Sequence, residues 1–119
     1  MLKHNVVLIL SVVVCVFVGL GSISAKEKPK YMWFDAEANY KRLSNPDSVI
    51  YYLKAIKEAG CTDAVVDVKT IMGEVLYDSK IAPFMESLDG TSRSRNYDML
   101  RVFIEEGHKL GLRVHGIYV

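Results

Sequence analysis

The segment from Thr62 to Val68 constrains the fold more than any other part of this chain, because it contains the apolar residues Ala64, Val65, Val66 and Val68 almost in a row. A strand that faces water on one side alternates apolar and polar residues, whereas a strand covered on both sides, as in a parallel sheet, is a nearly continuous apolar run. Asp67 interrupts the run near its end, and Lys69 follows it. The sequence therefore predicts a buried parallel strand with two charged side chains at its carboxyl end.

Helices and strands alternate around this segment. Residues 44–60 begin with a capping residue, Ser44 or Asn45, then a first-turn proline, and they end in a glycine, which together predict a helix. The other predicted elements are strands over 31–34 and 112–119 and a helix over 97–110. Strands that alternate with helices indicate right-handed βαβ units and a parallel sheet.

The apolar residues of both predicted helices repeat at helical spacing. In the first helix Val49, Leu53 and Ile56 share a face, and in the second the predicted buried face comprises Leu100, Phe103, Ile104 and Leu110. The connection over 69–95 has no clear periodicity, and the arginines of its TSRSR stretch are predicted to lie in an exposed loop.

The predicted fold class is α/β, as the strand-helix-strand-helix-strand beginning of a (β/α)8 TIM barrel. A nucleotide-binding Rossmann sheet is disfavoured because it carries a glycine-rich loop after its first strand, where this chain has DAEANYKRL. A barrel needs eight strand-helix units. Residues 31–119 are therefore predicted to be an incomplete, N-terminal fragment of a barrel domain.

The amino-terminal residues are predicted to be a targeting segment. A short basic region precedes an apolar run from Val6 to Leu20, and small residues follow in GSISA, which is the pattern of a secretory signal peptide. Residues 1–25 are assigned to this peptide and residues 26–30 to a polar leader, so the protein is predicted to be exported, periplasmic or secreted. An uncleaved anchor is the alternative, but the run is shorter than the roughly 20 residues that span a bilayer.

Composition narrows the range of partners. The formal net charge of +1 gives no reason to expect nucleic-acid binding, and contact with a membrane is predicted only through the signal segment. Removal of the signal peptide leaves Cys61 as the only cysteine, so no internal disulfide can form. No Cys/His cluster has metal-ligand spacing, and neither a metal nor a cofactor is predicted.

Polar side chains are predicted to gather where the strands end. Asp67 and Lys69 end the second strand, Asp35 and Glu37 follow the first, and His115 lies in the third. Because the carboxyl ends of parallel barrel strands form one rim, where barrel enzymes place their sites, we expect these side chains to converge.

The long connection after the second strand is predicted to complete this rim, since long loops often carry function. Glu74 and Tyr77, together with Trp33, would hydrogen-bond to a sugar-like ligand or stack on it.

Structural alternatives stand beside each role. Asp67 and Lys69 can pair with each other or with neighbours, Asp35 can cap the following turn, and His115 can be a core histidine.

Several stretches also resemble a known family. MWFDAE, YYLKAIKEAGCTDAVVDVK, GEVLYDSKIAPF and YDMLRVFIEEGHKLGLRVH are similar to the N-terminal part of the glycosyl hydrolase-like 10 family of exported bacterial barrel proteins. The resemblance covers about residues 31–119. In that family an arginine commonly takes the place of Lys69.

This resemblance implies a carbohydrate substrate and a glycoside hydrolase that acts on O-glycosidic bonds of a bacterial envelope or dietary glycan. The expected substrate-binding residues are Asp35, Glu37, Asp67, Lys69, Glu74, Tyr77 and His115. Hydrolysis generally needs two carboxyl groups across the scissile bond, and no catalytic residue is assigned because barrel glycosidases often draw that pair from middle and later strands. The alternatives are a non-catalytic glycan-binding barrel and a truncated product without activity of its own.

Overall fold

The computed structural model describes residues 26–118, which form an α/β unit around a three-stranded parallel sheet. Its elements are β1 (Tyr31–Phe34), α1 (Tyr40–Leu43), α2 (Pro46–Glu58), β2 (Asp63–Lys69), β3 (Ser87–Leu88), β4 (Thr91–Ser92), α3 (Met99–Lys109) and β5 (Arg113–Tyr118). The sheet order is β1-β2-β5, and β3 and β4 form a separate antiparallel hairpin. The predicted α/β class and parallel sheet are confirmed. The predicted signal peptide over 1–25 lies outside the described residues.

Helix α2 begins and ends where its sequence predicts. The Asn45 side chain accepts a hydrogen bond of 2.8 Å from the backbone N–H of Asp47, and Pro46 takes the first helical position. These contacts use one of the N–H groups that every helix leaves unpaired at its start. After the helix, Gly60 adopts a φ of 85°, a conformation that glycine reaches without the steric cost of a side chain. The chain then turns directly into β2.

The two faces of the sheet have different environments. On one face Ala64, Val66 and Val68 are buried in a core shared with apolar side chains of α2 and α3. On the other face Tyr31 and Trp33 are 59% and 57% exposed. We call this second side the open face; the strand register places on it Tyr31, Trp33, Asp63, Val65, Asp67, Arg113, His115 and Ile117.

Helix α3 packs closely on the sheet, but not through all of the residues that the sequence predicts. Phe103 is fully buried, and its ring meets that of Phe34 edge-on at 5.0 Å. Ile104 is 38% exposed, so its assignment to the buried face was wrong; Met99 and Gly107, at four-residue steps from Phe103, are buried instead. A Cβ atom at Gly107 would lie 2.7 Å from Cγ2 of Val114, which means that only glycine allows this approach of helix to strand.

The connection between β2 and α3 has an ordered path. The backbone N–H of Leu76 bonds the carbonyl of Val68 at 3.0 Å, and the N–H of Val75 bonds the carbonyl of Pro83 at 2.8 Å. The hairpin of β3 and β4 follows. These elements were not predicted, because two-residue strands and single bridges leave no periodic pattern in a sequence.

Arg93 holds this connection against α1, and its predicted exposure was wrong. Its guanidinium is 4.2 Å from the ring centroid of Tyr40, its Nε donates to Ser44 Oγ at 3.0 Å and its Nη2 to the Tyr40 carbonyl at 3.2 Å. The residue is only 4% exposed and pairs with no carboxylate among residues 26–118, and burial lowers its pKa. One helix carbonyl, a serine hydroxyl and an aromatic face therefore stabilise this buried charge.

Beside Arg93, the Tyr97 hydroxyl donates to the Leu43 carbonyl at 2.8 Å. Burial raises the pKa of Tyr97 to about 12, with the charge of Arg93 opposing the shift.

We predict that Arg93→Lys lowers the free energy of unfolding by about 2 kcal/mol, because lysine cannot keep both hydrogen bonds and the stacking on Tyr40 while buried. The matched control is Arg95→Lys. Arg95 pairs with Glu86 at 3.0 Å at an exposed position, and its substitution should cost less than about 1 kcal/mol. Urea unfolding measures both variants, and equal losses would contradict the role given to Arg93.

Candidate functional site

Asp67 lies on the open face near the carboxyl end of the central strand, where the sequence predicts a ligand contact. It pairs in register with Ile117 and is 7% exposed. Its Oδ1 atom is buried and has no hydrogen-bond partner among the described residues. Buried polar atoms are nearly always hydrogen-bonded, so an atom without a partner requires an explanation. A donor from a ligand, from water or from a part of the protein outside residues 26–118 would satisfy it.

Lys69 and Tyr77 lie near the same strand end. The register shifts between Asp67 and Lys69, and Lys69 pairs with Tyr118 of β5. The Tyr77 and Tyr118 hydroxyls are 3.5 Å apart, and this contact, followed by burial, raises the pKa of Tyr77. Tyr118 is 66% exposed and was not predicted as a site residue. Its signal in the sequence was an aromatic residue at the carboxyl end of a predicted strand.

Asp35 reaches the same end of the sheet but serves the local backbone. Phe34, the residue before it, pairs with Val66, so Asp35 follows at the level of Asp67. Its Oδ1 accepts a hydrogen bond of 2.9 Å from the N–H of Ala38. The structural alternative, that Asp35 caps the turn after β1, is thus confirmed.

Glu37 and Glu74 lie in the segments that follow β1 and β2, respectively. Glu37 lines a cavity of about 150 Å³ with Tyr40 and Leu88. The Glu74 carbonyl accepts from the N–H of Thr70 at 2.8 Å and closes the turn after β2. Burial raises the pKa of Tyr40 in α1, Arg93 opposes that rise, and the negative charge of Glu74 adds to it.

His115 does not lie at the carboxyl rim, and the predicted convergence with Asp35 and Asp67 was wrong for this residue. It pairs with Val65 in the middle of the sheet. Its Nε2 is 2.7 Å from Oδ1 of Asp63, the first residue of β2, so its side chain reaches toward the amino end. The sequence places His115 in the third strand but does not show which residue of β2 lies opposite it, and pairing with Val65 sets its level in the sheet.

Asp63 is the centre of an ionic cluster at that amino end. Nε and Nη2 of Arg113 each donate to one of its carboxylate oxygens at 2.7 Å, and the Thr62 hydroxyl donates as well. The Asp63 side chain is 1% exposed, whereas those of Arg113 and His115 are 62% and 45% exposed. The sequence does not reveal this cluster, because Asp63 directly precedes an apolar run and its partners Arg113 and His115 lie 50 and 52 positions away in β5.

A further cavity, of about 510 Å³, lies outside the predicted site. It is lined by residues at the first turns of α2 and α3 and by the connection before α3, among them Pro46, Asp78, Arg95, Asp98 and Arg101. None of the predicted site residues lines it. Its side chains carry both signs of charge. The predicted rim is taken as the candidate site because it contains the buried Oδ1 of Asp67, which has no hydrogen-bond partner among the described residues.

The described residues offer neither a metal site nor a membrane span. Within 26–118, no group of His, Cys, Asp and Glu residues is arranged to hold a metal ion. No helix in that range has both the length and the apolar character needed to cross a bilayer. The thiol of Cys61 is free and half-buried.

The ionic cluster around Asp63 predicts that the folded protein loses stability in acid. The hydrogen bonds from Arg113 hold the pKa of Asp63 well below its ordinary 3.8, with Thr62 and His115 acting in the same direction and burial against it. A lowered folded-state pKa stabilises the folded protein above the unfolded-state value, and this contribution is lost as the pH falls below it. The urea midpoint of the native protein should therefore exceed that of Asp63→Asn at pH 7, and the difference should shrink below about pH 4.

The control for this measurement is Glu86→Gln, which breaks an exposed pair and should follow the native pH profile closely. A difference between native and Asp63→Asn protein that stays constant from pH 7 to pH 3 would contradict the cluster's role.

Comparison with known proteins gives one relative and no family. No protein-family model matches the chain. The chain is 30% identical over 94 residues to an S-layer-related protein of Niallia circulans, in an alignment that covers 74% of this chain. The chain spans about 6% of the length of that relative.

Proposed function

We propose that this protein is the N-terminal part of an exported (β/α)8 barrel that binds and hydrolyses a glycan. The unpaired outer edges of the sheet support the barrel proposal. Within residues 26–118, β1 and β5 each pair with β2 alone and keep an unpaired outer edge. An apolar cavity of about 270 Å³, lined in part by Met32, Leu43, Tyr52 and Ile56, runs beside the free edge of β1. A further strand and its helix would pair with that edge and fill that cavity.

The observation that carries the glycan proposal is the buried Oδ1 of Asp67, which has no hydrogen-bond partner within residues 26–118. A barrel closed around this face would enclose Asp67 near the carboxyl end, where barrel enzymes bind substrate. Sugar hydroxyls are hydrogen-bond donors, and an ionised carboxylate only accepts. Exposed Trp33, on the same face of the adjacent strand, adds an aromatic surface on which a sugar ring can stack.

Catalysis would need residues beyond those described. The two carboxyl groups of a glycosidase are about 5–5.5 Å apart in retaining enzymes and about 6.5–9.5 Å apart in inverting enzymes. Asp35 is engaged in a turn, Glu37 lines a cavity with Tyr40 of α1, and Glu74 lies in the turn after β2. None of the three belongs to the residues that the strand register places on the open face. The proposed enzyme therefore takes at least one of its two carboxyl groups from a later strand. A barrel without that group would be a glycan-binding protein.

Location outside the cytoplasm is part of the proposal. It is supported by the basic, apolar and small-residue pattern of residues 1–25. It is also supported by the similarity to a protein named S-layer-related, since an S-layer is a cell-surface structure.

The barrel proposal predicts the coding sequence that follows Val119 in the gene. We expect the reading frame to continue through the remaining strand-helix units of an eight-unit barrel. One later strand should end in an Asp or Glu. A stop codon directly after Val119 would contradict the barrel. An open frame without such a carboxylate would leave the binding alternative.

The glycan proposal predicts that the full-length protein migrates more slowly in native gels that contain its polysaccharide than in gels without it. Asp67→Asn should weaken binding by about tenfold, because it replaces a charged hydrogen-bond acceptor by a neutral amide of the same shape. The control is Glu58→Gln, which alters an exposed residue at the carboxyl end of α2 and should leave binding unchanged. Reducing ends released from the bound polysaccharide separate a hydrolase from a binding protein. Normal migration in every glycan tested would contradict the proposal.

A further inference from the structure

Charged side chains lie at both ends of the sheet. At the carboxyl end, Asp67 and Lys69 end β2, and the segment after β1 carries Asp35 and Glu37 together with Lys41 and Arg42. At the amino end, Arg113 and His115 contact the buried carboxylate of Asp63. The end that the proposed function assigns to substrate therefore carries both signs of charge.

Asp67 differs from the other acidic residues of this end. Asp35 is exposed and caps a turn, whereas Asp67 is 7% exposed and its Oδ1 has no hydrogen-bond partner in the part of the chain that the structure describes. A buried carboxylate is costly unless a charged or hydrogen-bonding group satisfies it. A cationic donor satisfies both needs, because it neutralises the charge and occupies the acceptor in one charge-assisted hydrogen bond.

The surroundings of Asp67 on the open face also suit a cation attached to an apolar body. Trp33 pairs with Val65, two residues before Asp67 on the same face, a step of about 6.6 Å along an extended strand. Its ring is 57% exposed, and Val65 and Ile117 line the same face. Ammonium groups bind to aromatic faces and to carboxylates. An acetylated or plain hydroxylated sugar makes the stacking contact without the charge.

We infer that the glycan bound at this site carries free amino groups, as in a partly deacetylated hexosamine polymer. This inference rests on the proposed function and names the substrate class of the same site. Asp67 takes the ammonium group, and the Trp33 ring takes a sugar face. Acidic glycans, such as polyuronates, are repelled by the carboxylate of Asp67.

The experiment compares two ligands that share one backbone. Oligomers of β-1,4-linked glucosamine and of N-acetylglucosamine are titrated against the full-length protein, with polygalacturonate oligomers as the acidic arm. The pH is about 5.5, at which carboxyl groups are ionised and amines are protonated. The glucosamine oligomer should bind at least about tenfold more tightly than its acetylated counterpart, as one charge-assisted hydrogen bond allows.

Two further measurements test the role of charge. Asp67→Asn should bring the two hexosamine ligands to equal affinity, and Glu58→Gln should keep the native preference; urea unfolding checks that both variants remain folded. In the native protein, the preference should also fall when salt is raised from about 0.01 M to about 1 M. The salt measurement needs no variant, so the inference is tested even where Asp67→Asn does not fold.

The outcomes distinguish a failure of the amino-sugar inference from a failure of the proposed function. Equal or tighter binding of the acetylated or acidic oligomers overturns the amino-sugar inference and leaves a glycan-binding site. Binding of none of the oligomers, in a protein that other glycans retain, also overturns it. Binding of no glycan at all overturns the proposed function. Polylysine is titrated as a fourth ligand. If it binds as tightly as the glucosamine oligomer, the site has a general preference for amines, and the assignment to a sugar is overturned.

Discussion

Strand β2 must form backbone hydrogen bonds along both of its edges while it buries one apolar face, and the rest of the described structure follows from meeting these needs. Its partners β1 and β5 lie on either side in parallel, which requires a helix in each crossover. Those helices, α2 and α3, cover the face that carries Ala64, Val66 and Val68. The missing side chain of Gly107 lets α3 approach the sheet closely, so the core closes around Phe103.

The sequence predicts those elements whose signals are local. The cap at Asn45 marks the start of α2, and the apolar repeat of Val49, Leu53 and Ile56 marks its buried face. The single turn of α1 and the hairpin of β3 and β4 could not be predicted in this way. They are held by contacts between residues distant in the chain, such as that of Arg93 with Tyr40, and these contacts leave no periodic pattern.

The candidate site could be predicted only in part, for a related physical reason. The period of two along a strand correctly placed Asp67 on the face opposite the helices. The sequence could not show that Asp35 would turn its carboxylate to the backbone of Ala38, or that pairing with Val65 would fix His115 in mid-sheet. Which side chains share a rim depends on strand register, and register is set by partners elsewhere in the chain.

The bond between Asp63 and Arg113 joins residues that are 50 positions apart, one at the start of β2 and one at the start of β5. Contacts between distant residues form only after the intervening chain has closed into a loop, and their share of all contacts slows folding. The Asp63 carboxylate can exchange its hydrating water for the Arg113 guanidinium only after α3 has brought β5 back beside β2. The bond between Asp63 and Arg113 therefore cannot precede the pairing of β2 with β5, and it joins the first residues of these two strands.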